Sequence, residues 1–124
     1  MSRLFPATLF LAACAAFASG AVHSHFSHVP ARDHARTNPL PANAQNIEAG
    51  RQLYLDHCAQ CHKADARGDG RKKPSLRTDP VRNASDGDLE WFLRQGDLRH
   101  GMPSWSSLPE SQRWQIVAYL RSLH

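Results

Sequence analysis

Cys58 and Cys61 stand three positions apart in the stretch HCAQCH (57–62), and His62 follows directly. Thiols at this spacing serve several chemistries. Structural zinc wants four ligands, commonly from two such pairs or from one pair and spaced histidines. This chain has one pair, and His57, His62 and His100 fall at spacings that match no common zinc ribbon. A redox dithiol works from a helix N-terminus beside a βαβ sheet. Here the pair falls at the end of a helical pattern, where the dipole disfavours a thiolate, and no strand pattern is visible. A plain structural disulfide is the third possibility.

A fourth chemistry uses all three residues together. Two thiols so placed can add to the two vinyl groups of one porphyrin, and the adjacent His62 then meets the iron as an axial ligand. That reading needs a second axial ligand downstream. The chain has two methionines, Met1 and Met102. Met102 lies in His100-Gly101-Met102-Pro103. Filling a gap in the core is the ordinary role of a methionine, and such a residue sits on a helix face. The flanking glycine and proline fix this one in a turn instead, and predict a thioether ligand.

The elements that must position these groups are helical. The spacing of Ile47, Gly50, Leu53, Tyr54 and Cys58 predicts a helix over about 47–60, capped by Asn43 or Asn46. Ser85 and Asp88 form a capping-box pattern, Leu89, Phe92 and Leu93 share a face, and Gly96 suits a stop, so a second helix is expected over 86–95. The last, within 108–123, has Ser107 as expected cap, Glu110 completing a capping box and Pro109 in its first turn. Between the first two runs a Gly-, Pro- and charge-rich loop. The domain is therefore expected to be all-α, with three main helices and long loops. Loops this long in a small domain predict that something other than side chains fills its middle.

The N-terminus carries its own signals. Arg3, an apolar run from Leu4 to Phe17 and small residues over 16–21 predict a cleaved export signal at 1–21. Cleavage removes Met1 and Cys14, and leaves Cys58 and Cys61 as the mature protein's only cysteines. Leu11-Ala12-Ala13-Cys14 also resembles a lipobox, and an uncut Leu4–Val22 is long enough to span a bilayer. Residues 22–43 hold three prolines and four histidines without apolar periodicity, and read as an irregular arm or linker. His23, His25 and His28 could grip a transition metal, but no acidic or cysteine partner closes such a site, so a solvated tail is expected. The domain proper is taken as 44–124. A formal charge of +4 on 124 residues, with 8% aromatics, does not make the dense basic face of a nucleic-acid binder.

Residues 44–124 resemble a class I c-type cytochrome of the small bacterial monohaem kind, similar to cytochrome c6 and the haem domains of cbb3-type oxidase subunits. Cys58-Ala59-Gln60-Cys61-His62 matches the attachment motif, and Gly101-Met102-Pro103 is similar to the distal strap. Pro74-Ser75-Leu76 resembles the family's Gly-Pro-x-Leu element, with Lys73 where the family usually has glycine. Gly50 and Tyr54, with Tyr119, resemble its close crossing of terminal helices. The resemblance implies one covalent haem c on Cys58 and Cys61, with His62 and Met102 as axial iron ligands. It also implies a Pro74 carbonyl that orients His62 and a Leu76 that packs on the haem, and Trp91 and Trp105 are expected to wall it. With both axial positions filled no substrate chemistry is expected. The function implied is single-electron transfer between redox partner proteins such as a periplasmic dehydrogenase, a terminal oxidase or another cytochrome. A monomer in the periplasm is expected, membrane-attached only if the N-terminus is retained or lipidated. Arg67, Arg71, Lys72, Lys73, Arg77 and Arg82 could steer an acidic partner, or simply solubilise their loop. The competing function is a haem enzyme or gas-binding cytochrome with a labile distal site. A copper-handling role for the histidine arm leaves the haem motif unexplained.

Overall fold

The helical patterns become helices in the computed structural model, which describes residues 25–124. In chain order they are α1 (Ala31–His34), α2 (Ala44–His57), α3 (Ala59–His62), α4 (Asp79–Asn83), α5 (Asp86–Gln95) and α6 (Glu110–Ser122), with a 3-10 turn at Leu98–His100. The three long ones, α2, α5 and α6, are those the sequence predicts, and the described residues form no strand. The export signal, Cys14 and His23 lie outside the described residues.

Helix starts follow local hydrogen bonding. Asn43 is extended and its side chain accepts the Asn46 N–H at 2.9 Å, so α2 begins three residues before Ile47. It stops at His57, and the thiol–histidine motif continues as the separate turn α3, with His62 N–H donating to the Cys58 carbonyl at 2.9 Å. Ser85 and Asp88 form the expected capping box of α5, and Gly96 ends that helix at φ +69°. The expected box on α6 does not form. Pro109 precedes the first turn without any side-chain cap, and the Glu110 carboxylate turns to Arg36 and to the Trp114 indole N–H instead.

α2 and α6 cross tightly because Gly50 has no side chain. A Cβ there would stand 1.9 Å from the Gln115 carbonyl oxygen. One turn on, the rings of Tyr54 and Tyr119 meet at 5.2 Å. Trp114, Ile116, Val117 and Leu120 bury the inner face of α6, and Leu89 and Leu93 that of α5.

The stretch read as a solvated arm is docked over residues 25–43. Asp33 is buried and accepts from Arg94 at 2.7 Å, while His34 Nδ1 meets Asp88 at 2.9 Å. Arg36 reaches Glu90 at 3.2 Å and stacks over the Trp114 ring at 5.0 Å. Asn38 donates to the Trp114 carbonyl at 2.8 Å. Glu90 is wholly buried and also accepts from Arg113 at 2.8 Å and Arg94 at 3.4 Å. A carboxylate with three guanidinium partners tolerates such burial; an orphaned arginine does not.

Two stability predictions follow from these contacts. Gly50→Ala forces α2 off α6 and should lower the unfolding free energy by about 2 kcal/mol, the usual scale of overpacking. Glu90→Gln leaves Arg113 short of its counter-charge and should cost about 3 kcal/mol. Denaturant titration of each variant against the parent measures both.

Candidate cofactor site

One cavity of about 730 Å³ gathers the residues that the sequence singled out. Cys58, Cys61, His62, Pro74, Leu76 and Met102 all line it. Its walls are mostly apolar: Leu89, Phe92 and Leu93 from α5, Ile116 and Leu120 from α6, Val81 from α4, and Tyr54 from α2. That size and character suit a cofactor pocket.

His62 is held by a loop built for the purpose. Its Nδ1 lies 2.9 Å from the Pro74 carbonyl oxygen. A carbonyl only accepts, so in the neutral ring Nδ1 carries the proton and the lone pair is left on Nε2. The loop between them is pinned throughout. Tyr54 donates its hydroxyl proton to the Lys63 carbonyl at 2.7 Å. Gly68 donates to the His62 carbonyl at 2.9 Å, and Leu76 to the Ala66 carbonyl at 2.8 Å. Gly68 takes φ +65°, and a Cβ there would lie 2.1 Å from the Lys73 carbonyl oxygen. The left-handed bends of this segment fall at Lys63, Ala66, Gly68 and Gly70, so position 73 does not require glycine and Lys73 fits. The Asp69 carboxylate accepts the Arg71 N–H at 2.8 Å and the Lys73 N–H at 3.0 Å. The amide of Lys73, then that of Arg71, holds its carboxyl below the usual range.

Met102 is fixed by a strap. Asp97 and Met102 pair as an antiparallel bridge, each N–H donating to the other's carbonyl at 2.9 Å. Gly101 provides the turn between them at φ +81°. Trp105 N–H donates to the Leu93 carbonyl at 2.8 Å, tying the strap to the end of α5. His100 is exposed on the strap, with Nδ1 on Asp97 at 2.7 Å, a contact that lowers the Asp97 carboxyl. Met102, held in this turn, thus lines the same cavity as His62.

The two cysteines are unpaired thiols. Burial, then the neighbouring Cys61, pushes the Cys58 thiol up to about 12. A thiol kept protonated there is poorly suited to a redox dithiol, whose working form is the thiolate. Among the described residues no three His, Cys, Asp or Glu side chains converge as metal ligands. His25, in the arm, lies at the cavity, its ring edge-on to that of His100 at 6.4 Å.

Trp91 is misplaced by the sequence reading. It does not line the cavity; Phe92 and Leu93 do. At 100° per residue, position 91 points away from the face shared by 89, 92 and 93, a phase the sequence already contains. Trp105 is at the cavity, its ring 5.0 Å from that of His57. Phe26 also lines it, and a non-periodic arm carried no signal for that. Of the basic loop residues, Arg71, Lys72 and Lys73 lie at the cavity. Arg77 is engaged inside the fold, on the carbonyls of Asp65 at 2.7 Å and Leu123 at 3.1 Å.

An all-α chain wrapped round one apolar cavity, with a thiol pair and an imidazole in its wall and a strap-borne thioether beside them, defines a class I c-type cytochrome. Residues 45–120 match the family described as "Cytochrome C oxidase, cbb3-type, subunit III", and the chain belongs to that family. It is 27% identical over 85 residues to the cbb3-type cytochrome c oxidase subunit FixP of Rhizobium meliloti (strain 1021), covering 67% of this chain and 29% of that protein. It is 33% identical over 85 residues to cytochrome c550 of Pseudomonas aeruginosa, covering 63% of this chain and 56% of that one. The chain thus spans under a third of the FixP length and little more than half of cytochrome c550.

The Asp69 turn gives a pH prediction. A depressed carboxyl stabilises the loop above its ordinary range and loses that effect as pH falls through the lowered value. The amide proton shifts of Arg71 and Lys73 should therefore titrate together in acid, below the ordinary aspartate value of 3.8. Asp69→Asn should abolish that titration in NMR spectra.

Proposed function

We propose that this protein carries single electrons between redox partners through one haem c, bound covalently through Cys58 and Cys61. His62 Nε2 and the Met102 sulfur would hold its iron. The observation that carries the reading is the His62–Pro74 hydrogen bond of 2.9 Å, which leaves the Nε2 lone pair free on a residue that lines the same cavity as Met102. The bound haem supplies a one-electron Fe(III)/Fe(II) couple. The chain's own residues do the rest. Pro74 fixes the imidazole tautomer and its orientation. Leu76, Leu89, Phe92, Leu93 and Trp105 exclude water, and low polarity favours the less charged, reduced state. Met102 favours reduced iron further, because a thioether is a soft ligand. With His62 and Met102 both holding the iron, no position would remain for a substrate, so the role would be transfer rather than bond chemistry.

Partner choice falls to the cavity rim. Arg71, Lys72 and Lys73 present positive charge there and would steer an acidic face of a dehydrogenase, oxidase or second cytochrome into a small, short-lived contact. Likeness to FixP favours a cbb3-type oxidase as one such partner. The N-terminal signal pattern favours export to the periplasm, where covalent haem attachment takes place. Among the described residues no helix is long and apolar enough to cross a membrane.

Replacing Met102 tests the ligand set. Met102→Ala should abolish the ferric thioether-to-iron absorption band, lower the midpoint potential in a redox titration, and open the reduced protein to carbon monoxide. A parent that already lacks the band, with a potential that Met102→Ala leaves unchanged, would assign the position to His100 or another group. Rapid carbon monoxide binding by the unsubstituted protein would favour a ligand-binding cytochrome.

A further inference from the structure

The docked arm has more in it than an anchor needs. It runs along α5, and its two ends do different things. Asp33, His34 and Arg36 fasten the middle of the arm to Arg94, Asp88 and Glu90. Backbone reinforces the seat: Ser85 Oγ donates to the His34 carbonyl at 2.7 Å, and Gly87 N–H to the Arg36 carbonyl at 3.1 Å. Gly87 is what lets the arm in, because a Cβ there would stand 1.8 Å from the Asp33 carbonyl oxygen. Upstream of that seat, the Phe26 ring packs edge-on against Phe92 at 5.6 Å, and both rings line the cavity. Next to it the His25 ring meets His100 on the Met102 strap.

We infer that residues 25–38 form a built-in clamp that seats Phe26 and His25 in the mouth of the haem cavity and closes its Met102 side to small external ligands. The inference rests on the haem reading above. An aromatic pair closing an apolar cavity excludes water and also any small donor that competes with a thioether for iron. A competing ligand then binds only the fraction of molecules whose arm is undocked, so its apparent affinity falls by that fraction. The fastening is long-range and ionic while the closing contact is aromatic, so seat and closure can be separated by substitution.

Two variants act at different places. Phe26→Ala removes the closing ring and leaves the seat. Gly87→Ala suits α5 as a helix residue but cannot coexist with the docked Asp33 carbonyl, so it unseats the arm from a position that does not itself line the cavity. The matured ferric proteins are titrated with imidazole, following loss of the thioether band, and digested briefly with trypsin to report cleavage after Arg32 and Arg36. Both variants should bind imidazole about tenfold more tightly than the parent, and Gly87→Ala alone should be cut faster in the arm. Faster cutting of Gly87→Ala with imidazole affinity unchanged in both variants would overturn the clamp and leave the haem reading intact. Absence of a thioether band from the parent itself would overturn both.

Discussion

His62 Nδ1 sits 2.9 Å from a carbonyl twelve residues further along the chain, and much of the structure serves that contact. For the ligand role proposed for His62, its imidazole must neither turn nor exchange its proton between nitrogens. The loop from Lys63 to Leu76 therefore spends four left-handed residues and a series of backbone hydrogen bonds on bringing the Pro74 oxygen into place. Tyr54 joins this loop to α2, and Tyr54 in turn packs on Tyr119 at the α2–α6 crossing. The crossing needs Gly50. A chain of glycine, tyrosine, loop carbonyl and imidazole thus links the close α2–α6 crossing to the wall of the cavity.

The other wall is organised on different terms. Met102 depends on a short backbone bridge to Asp97 and on Trp105 holding the strap to α5. α5 is itself clasped from behind by the arm, through a wholly buried Glu90 shared among Arg36, Arg94 and Arg113. Such a cluster adds little stability over apolar packing of the same volume, but it is intolerant of losing one member. It serves geometry more than strength, since it sets where the arm and α5 lie relative to α6.

The sequence was legible wherever the chemistry was local. The thiol–histidine spacing, the capping box of Ser85 and Asp88, and the stop at Gly96 each concern residues within a turn of one another. The Gly-Met-Pro turn was legible for the same reason, and the structure brings Met102 to the cavity with Cys58, Cys61 and His62. What escaped was set at long range. Glu110 looked like the partner of Ser107, but Arg36, from the other end of the chain, claims its carboxylate. The arm looked solvated because its anchors are single charged residues whose partners lie 54 to 61 positions away. Trp91 is a different case: the helix phase that points it away from the cavity could be read from Leu89, Phe92 and Leu93.

The central claim is one covalent haem held between His62 and Met102. The absorption spectrum of the protein matured with a cytochrome c attachment system tests it most directly, recorded oxidised, reduced, and reduced under carbon monoxide. The account predicts the sharp reduced bands of a haem that survives denaturation, a ferric thioether-to-iron band, and no change under carbon monoxide. A haem that is released on denaturation, or a reduced spectrum that shifts at once under the gas, would contradict it.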